Sequence, residues 1–157
     1  MAETTTATQN VTSEWVEQFQ ERYFAAWNSG QPERLLELMT EDITYDDVSW
    51  PQTMRGHAEV REFLEFVFGA FPDLRFKHER PLIAADGPRA AFPCHGWGTN
   101  TGPIDPPGVP ATGKQVEWEG VDILEYRDGK VARLRIVYDR TDTLRELGFL
   151  RDVDSVG

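Results

Sequence analysis

The sequence predicts an α+β fold, in which a curved antiparallel sheet wraps around N-terminal helices and forms a cone-shaped domain with an internal pocket. Helical patterns are collected in the first half of the chain and strand patterns in the second half. The length of 157 residues, of which 39% are hydrophobic, suits one core of this kind. We expect a single domain over residues 13–150, with flexible tails over residues 1–12 and 151–157.

Three helices are expected before the main run of strands. The first runs from Ser13 to about Asn28 and has an aromatic face, formed by Trp15, Phe19, Tyr23 and Trp27. The second is short, begins at Pro32 and has an apolar side made of Leu35, Leu36, Leu38 and Met39. The third is strongly apolar and lies between Gly56 and Pro72.

The strands are recognised by their period of two. Residues 43–48 alternate in this way before the breaking pair Trp50-Pro51, which predicts a short strand. Four further strands are predicted over residues 75–84, 89–98, 115–126 and 130–139. Asp-Gly turns at 86–87 and 128–129 join neighbours, so we expect an antiparallel meander. The Gly- and Pro-rich connection over residues 99–113 is typical of a functional or mobile loop.

The composition indicates which partners to expect. Three aromatic-rich regions (residues 15–27, residues 63–71, and Trp97 with Trp118) carry more apolar surface than a small core needs, which favours a small hydrophobic or aromatic substrate. The net charge of −11 would repel nucleic acid and anionic membranes. A single cysteine favours the cytoplasm. The start of the chain resembles no export signal, and no apolar run approaches the ~20 residues of a membrane span.

We expect neither a metal nor another cofactor. His57, His78 and His95 fall on three different elements, and the chain has no HxH, HExxH or CxxC spacing. It also lacks the glycine-rich motifs that hold nucleotide phosphates. Cys94 and His95 are consecutive and would point to opposite faces of a strand, so covalent catalysis is disfavoured.

Asp139 is the leading candidate for catalysis. It follows an apolar strand, where a dry aromatic pocket would raise the pKa of its carboxyl group and make it a competent base. The alternative is that Asp139 caps the terminal helix that runs through Leu144 and Leu147. Alternation puts Leu134, Ile136 and Tyr138 on the opposite face from Asp139, so a catalytic role also requires a bulge or a second buried face of the strand. The spacing of residues leaves the two roles open.

Other polar residues in apolar strands have a functional and a structural interpretation. His95 shares a strand face with Trp97 and could be a proton shuttle or a structural histidine. Tyr45 and Asp47 share a face of the first strand and could orient a carbonyl group or a water, although an Asp at a strand end often only forms a turn. Trp118 could line a pocket or fill the core, and Asp122 could be a second buried acid.

Several segments together resemble the SnoaL-like polyketide cyclases over about residues 13–148. They are the Tyr23-x-x-x-Trp27-Asn28-x-Gly30 pattern, FPDLRF at 71–76, GTNTG at 98–102, PATGK at 110–114, EYRDGKV at 125–131 and YDRTDTLRELG at 138–148. The resemblance implies a nuclear-transport-factor-like cone fold and cofactor-independent aldol closure of a polyketide ester. In those cyclases an aspartate on the last strand is the general acid/base, and the motif places it at Asp139. A homodimer is also implied, with Val121 and Ile123 on a half-exposed sheet face.

The resemblance also suggests how a substrate would be held. His95, Tyr45 and Arg135 would be the hydrogen-bond donors, and aromatic residues would hold a flat substrate, with Phe19, Tyr23, Trp97 and Trp118 as the candidates. A partial similarity to limonene epoxide hydrolase offers an alternative, in which Asp47, His95 and Asp139 position a hydrolytic water. There Tyr45 and Asp139 match, but the Arg-x-Asp of the middle strand is replaced by Pro93-Cys94-His95. A third alternative is a binding protein without catalytic activity.

Overall fold

Four helices and seven strands follow one another in the computed structural model, which describes residues 9–77 and 82–151. The helices are α1 (Ser13–Asn28), α2 (Pro32–Leu36), α3 (Gly56–Ala70) and α4 (Arg140–Glu146). The strands are β1 (Met39–Asp47), β2 (Met54–Arg55), β3 (Arg75–Phe76), β4 (Ala84–Asp86), β5 (Arg89–Thr99), β6 (Gln115–Arg127) and β7 (Lys130–Tyr138). In this part of the chain, no helix combines the length and the apolar character needed to cross a membrane.

The strands form one sheet in the order β2-β1-β7-β6-β5-β3, with β4 also paired to β5. Strands β4, β5, β6 and β7 form an antiparallel meander, in which the Asp-Gly turns join β4 to β5 and β6 to β7, as predicted. Strand β1 pairs with β7 in parallel, so that Asp47 lies opposite Ile136. The parallel pair is possible because the chain between these strands makes a long crossover through α3 and the other strands. The predicted α+β class, with N-terminal helices on an open curved sheet, is confirmed.

Helix α1 supplies the aromatic core on the inner face of the sheet. It begins where the Thr12 hydroxyl accepts a 3.2 Å hydrogen bond from the backbone N–H of Trp15, and its buried face carries the predicted aromatic residues. Phe19 meets the ring of Tyr126 on β6 edge-on at 5.0 Å, and Tyr23 meets Phe92 on β5 at 6.1 Å. Stacking these rings removes a large apolar area from water, which stabilises the contact between helix and sheet.

Some predicted boundaries of helices and strands are wrong. Hydrogen bonding between strands includes residues that the local sequence pattern assigns to another element. Helix α2 ends at Leu36, and Met39 already pairs with Val131 as the first residue of β1. Strand β2 was not predicted. Within the predicted strand over 75–84 lies the short strand β3, and β4 begins only at the last residue of that segment. Residues 78–81, including His78, lie outside the described residues.

Residues 9–12, which the sequence assigns to the N-terminal tail, pack against the two hairpin turns. The side chain of Gln9 accepts a 2.6 Å hydrogen bond from the backbone N–H of Gly129. The backbone N–H of Val11 donates to Gly87 at 2.8 Å, and the Val11 side chain is buried. Residues 1–8 and 152–157 lie outside the described residues, so the flexible tails there stay a prediction.

Candidate active site and ligand cavity

A cavity of about 640 Å³ lies between the inner face of the sheet, helix α3, the 99–113 loop and helix α4. This volume is in the usual range for small-molecule sites. The walls are mostly aromatic and aliphatic, and the aromatic lining residues are Trp27, Trp50, Phe63, Phe66, Phe71, Phe76, Trp118, Tyr138 and Phe149. The exposed lining residues Pro51, Pro106, Pro107 and Phe149 mark its mouth.

Two groups of rings fix the shape of the walls. Trp50 packs against Phe63 and Phe66 of α3, with ring centroids 5.3 and 5.2 Å apart. Trp118 meets Phe71 edge-on at 4.9 Å. The predicted role of Trp118 as a pocket wall is therefore consistent with its position. The sequence pattern identifies Trp50 only as a residue that ends a strand, because it does not indicate which side of a turn faces a cavity.

The 99–113 loop is tied at its base by Asn100, whose side chain is fully buried. Its amide nitrogen donates to the carbonyl oxygens of Ala70 (3.1 Å) and Gly102 (2.9 Å). Its amide oxygen accepts from the backbone N–H (2.8 Å) and the hydroxyl (2.9 Å) of Thr112. The loop places Ile104, Pro106, Pro107 and Val109 in the cavity wall, so this connection is part of the candidate site.

The polar end of the cavity is built around Asp47, the last residue of β1. Its Oδ1 atom accepts hydrogen bonds from the Ser49 backbone N–H (2.8 Å), the Ser49 hydroxyl (2.6 Å) and the Tyr138 hydroxyl (2.9 Å). Among the described residues, no donor bonds to Oδ2. The polar lining residues are Asp47, Ser49, Cys94, Tyr138, Arg140 and Thr143. Oδ2 of Asp47 is therefore the carboxylate oxygen that is free to react.

Burial raises the pKa of the Asp47 carboxyl group above its usual value. The donors of Ser49 and Tyr138 lower this pKa, because they stabilise the ionised form, but the effect of burial is larger. Burial likewise raises the pKa of the Tyr138 hydroxyl, and the negative charge of Asp47 adds to that increase. Asp47 therefore combines a fixed orientation with the raised basicity that general base catalysis needs.

A second buried acid, Asp122, lies beneath the cavity floor, as the sequence suggested. Asp122 is 2% exposed, and it shares a row of the sheet with Ile136 and Phe92 on the neighbouring strands. Burial raises its pKa to about 7; the Cys94 thiol and Tyr23 hydroxyl oppose this increase, and the charge of Asp47 adds to it. Asp122 does not line the cavity, but the neighbouring Cys94 does.

Several buried polar atoms around Asp122 lack hydrogen-bond partners among the described residues. Its Oδ1 atom and the hydroxyls of Tyr45 and Tyr126 are buried without a hydrogen-bond partner among the described residues. Burial raises the pKa values of Tyr23, Tyr45 and Tyr126, and the charge of Asp122 adds to the increase in each. For Tyr45 the charge of Asp47 adds more than that of Asp122. Tyr23 and Tyr45 therefore lie behind the cavity wall rather than in it, and Phe19 is buried in the aromatic core beyond them.

The predicted burial of Asp139 in the pocket is wrong. Its carboxylate is exposed and caps α4, since Oδ1 accepts from the backbone N–H groups of Thr141 (2.8 Å) and Asp142 (3.2 Å). Strand β7 ends at Tyr138, and no bulge turns Asp139 towards the interior. The capping alternative fits the position, because Asp139 occupies the residue before the first helical turn.

The predicted places of His95, Trp97 and Arg135 in the pocket are also wrong, because all three lie on the outer face of the sheet. On β5 the buried positions are those of Phe92 and Cys94, and the alternation of a strand then turns His95 and Trp97 outwards. On β7 Arg135 is exposed between buried neighbours in the same way. Of the nine predicted site residues, Asp47 and Trp118 line the cavity.

His95 belongs to a cluster that sequence spacing missed. Its Nε2 atom is 2.5 Å from Oε1 of Glu117, and Glu119 lies opposite His95 in the sheet. The possible ligand atoms of these three side chains all lie within 4.8 Å of one another, so together they could hold a metal ion. It is the group with this geometry in the described part of the chain. Pairing between β5 and β6 creates the cluster, so no motif within one segment signals it. It lies on the opposite face from the cavity.

The fold and the cavity define a class of protein: an open curved sheet with N-terminal helices that encloses a largely apolar small-molecule site. Within this class, the family model described as "SnoaL-like domain" matches residues 20–134. The chain belongs to this family, which confirms the resemblance seen in the sequence. No curated protein matches the chain.

Solved structures agree with this assignment. AclR from Streptomyces galilaeus, a proposed hydroxylase, is 27% identical with a TM-score of 0.75, over 93% of this chain and 92% of AclR. IdmH from Streptomyces antibioticus, a proposed polyketide cyclase, is 25% identical with a TM-score of 0.65, over 83% and 96%. A proposed SnoaL-like polyketide cyclase from Jannaschia sp. CCS1 is 21% identical with a TM-score of 0.73, over 91% and 99%, and supports the fold alone.

Proposed function

We propose that the protein is a cofactor-independent, polyketide cyclase-like enzyme that closes a ring by an intramolecular aldol reaction, with Asp47 as the general base. One observation carries the proposal: three donors hold Oδ1 of Asp47 at the polar end of an aromatic cavity, while no donor within residues 9–77 and 82–151 bonds to Oδ2. Membership of the SnoaL-like family and the similarity to IdmH support the same class of reaction.

The reaction requires only one group that takes up and returns a proton. Oδ2 of Asp47 removes a proton from the carbon between two carbonyl groups of the substrate, and the C–H electron pair forms an enolate. The enolate carbon attacks a ketone carbon of the same molecule, which forms a C–C bond and an alkoxide. The protonated Asp47 then returns its proton to the alkoxide, so atoms and charge balance. The raised pKa of Asp47 brings its proton affinity closer to that of a carbon acid.

The cavity walls suit a flat substrate that carries several carbonyl groups. Trp118 and Phe71 line one side, and Trp50 with Phe63 and Phe66 lines another. Such rings bind a partly cyclised polyketide through apolar contact and hold the reacting carbons near each other. Because few polar groups line the cavity, the hydrogen-bonding end of the substrate would be directed towards Asp47.

The alternative functions make different demands on the same residues. In the hydrolytic alternative, Asp47, His95 and Asp139 would have to meet around one water. They instead lie in the cavity, on the outer sheet face and at the cap of α4. Binding without catalysis needs only the cavity. Ring closure needs only the oriented carboxylate of Asp47, whereas the hydrolytic alternative also needs His95 and Asp139, and binding without catalysis leaves the carboxylate without a role.

The test compares Asp47→Asn with Asp139→Asn on a β-keto ester polyketide, followed by chromatography and mass spectrometry in 18O-labelled water. We expect Asp47→Asn to reduce turnover by at least about a hundredfold with little change in ligand affinity, because the amide keeps the shape but is not a base. Asp139→Asn should stay near wild type, apart from lost capping.

Three results would contradict the proposal. Loss of turnover in Asp139→Asn alone would return the catalytic role to that residue. Net addition of one water molecule to the substrate, with solvent 18O above that of a control without enzyme, would indicate hydrolysis, since aldol closure adds no water. Tight binding with no product after long incubation, across a panel of polyketide esters, would indicate a binding protein.

A further inference from the structure

Arg140 is the single cationic side chain among the cavity-lining residues, in a chain whose net charge is −11. Within residues 9–77 and 82–151, it takes part in no hydrogen bond or ion pair. Several other arginines are paired with carboxylates on the protein surface, as Arg61 is with Glu33 and Arg89 with Asp86. An arginine without such a partner at the edge of an apolar cavity is therefore available to a ligand.

The charge of Arg140 affects the same end of the cavity that Asp47 lines. Arg140 follows Tyr138 by two residues, and its positive charge lowers the pKa of the Tyr138 hydroxyl, against the larger effect of burial. The same hydroxyl donates to Asp47. Asp47 and Arg140 do not pair with each other, since the contacts of the carboxylate are those with Ser49 and Tyr138. The polar end thus offers one base and one separate cation.

We infer that Arg140 binds an anionic oxygen group on the ligand, so that the preferred substrate is an acidic aromatic or partly cyclised polyketide and not a neutral one. The inference rests on the proposed use of the cavity and adds the class of substrate. A planar guanidinium presents two parallel N–H donors that match the oxygens of a carboxylate or sulfonate.

An anion bound at Arg140 would also orient the substrate. It would fix one end of the molecule at the cavity mouth, where Arg140 is exposed, and leave the carbon acid to reach Oδ2 of Asp47. The high negative charge of the whole chain opposes the binding of anions only weakly at this point. At physiological ionic strength, charges further away than about 8 Å are largely screened.

The test uses two fluorescent probes with the same ring skeleton. 8-Anilinonaphthalene-1-sulfonate carries a sulfonate, and N-phenyl-1-naphthylamine lacks it. We expect the sulfonate probe to bind the wild type more tightly than the neutral probe, with an affinity that falls as salt is added. Arg140→Gln should weaken the sulfonate probe by about tenfold or more and leave the neutral probe unchanged, and Arg140→Lys should keep part of the preference.

Arg135→Gln is the matched control, because it removes the same charge from the outer face of the sheet, and neither probe should respond. Unchanged binding of the sulfonate probe to Arg140→Gln would overturn the inference. So would an equal loss for both probes, which would show that the aliphatic stem of Arg140 only packs. If the wild type binds the neutral probe and the sulfonate probe with equal affinity, the inference about Arg140 fails, but the use of the cavity as a ligand site is still supported. If it binds neither, the proposed function fails as well.

Discussion

The Tyr138 hydroxyl donates a 2.9 Å hydrogen bond to Oδ1 of Asp47, although the two residues are 91 positions apart in the chain. Asp47 ends β1, and Tyr138 ends β7. Because these two strands run in parallel, their carboxyl ends meet at the same edge of the sheet. The parallel pair is therefore what builds the polar end of the cavity.

Tyr138→Phe should make Asp47 harder to ionise. The hydroxyl lowers the pKa of Asp47 by stabilising its charged form, so its removal leaves the effect of burial less opposed. We expect the midpoint of the Asp47 titration, followed by NMR of 13C-labelled aspartate, to move to higher pH, and the acidic limb of the pH profile of turnover to move with it. Tyr126→Phe is the control, since the Tyr126 hydroxyl is buried and has no hydrogen-bond partner in the part of the chain that the structure describes. An unchanged titration in Tyr138→Phe would contradict the assigned bond.

Asp122→Asn should stabilise the protein at alkaline pH. The folded-state pKa of Asp122, about 7, lies above the ordinary value of 3.8, so the folded protein holds this proton more tightly than the unfolded chain. Stability is then lost as the pH rises from about 4 to about 7, by a few kcal/mol at most. The amide does not ionise, so the variant should unfold at a higher temperature than wild type at pH 8, with a smaller difference at pH 5.

The control for Asp122→Asn is Glu125→Gln, an exposed residue on the other face of the same strand. The unfolding temperature of the Glu125→Gln variant should equal that of the wild type at both pH values. If Asp122→Asn and wild type show the same dependence of stability on pH, the carboxyl group is not held in its protonated form by burial. A variant that is less stable at every pH would instead show that Asp122 is ionised and paired.

The outcome for individual residues shows what a sequence can and cannot predict. Period-two alternation correctly grouped His95 with Trp97, but it does not say which of the two groups faces inwards. That choice is made by the burial of Phe92 and Cys94 against the helices, which is a tertiary effect. Helix α1 was predictable because its aromatic face and its cap are local in the sequence.

The polar end of the cavity was less predictable because it depends on a non-local pairing. Asp47 and Trp118 were identified, but Tyr138 and Arg140 were not assigned to the site. The hairpin turns predict antiparallel neighbours only, and no local pattern signals the parallel pair that brings Asp47 to Tyr138. For Asp139 the spacing allowed both a base and a cap, and the first turn of α4 provides the N–H groups that make it a cap.

Asn100→Ala should destabilise the fold by about 3 kcal/mol, because it removes four side-chain hydrogen bonds at the base of the 99–113 loop. The carbonyl group of Ala70 and the backbone N–H of Thr112 would lose these partners in a buried place. Urea denaturation measures the effect. Thr101→Ala, at an exposed neighbour, should change the midpoint little. A loss in Asn100→Ala below about 0.5 kcal/mol would show that the loop does not depend on this side chain.

Gly102→Ala and Gly69→Ala form a matched pair on two sides of one contact. A Cβ atom at Gly102 would overlap the backbone carbonyl group of Gly69, which cannot move without disturbing α3. We expect Gly102→Ala to lower the free energy of unfolding by about 2 kcal/mol or more, since the loop must shift away from the helix. A Cβ atom at Gly69 meets nothing within 4 Å, and alanine is the better helix former, so Gly69→Ala should stabilise the protein by about 0.5–1 kcal/mol. Urea midpoints that shift in the same direction for both variants would contradict the close approach of the loop to α3.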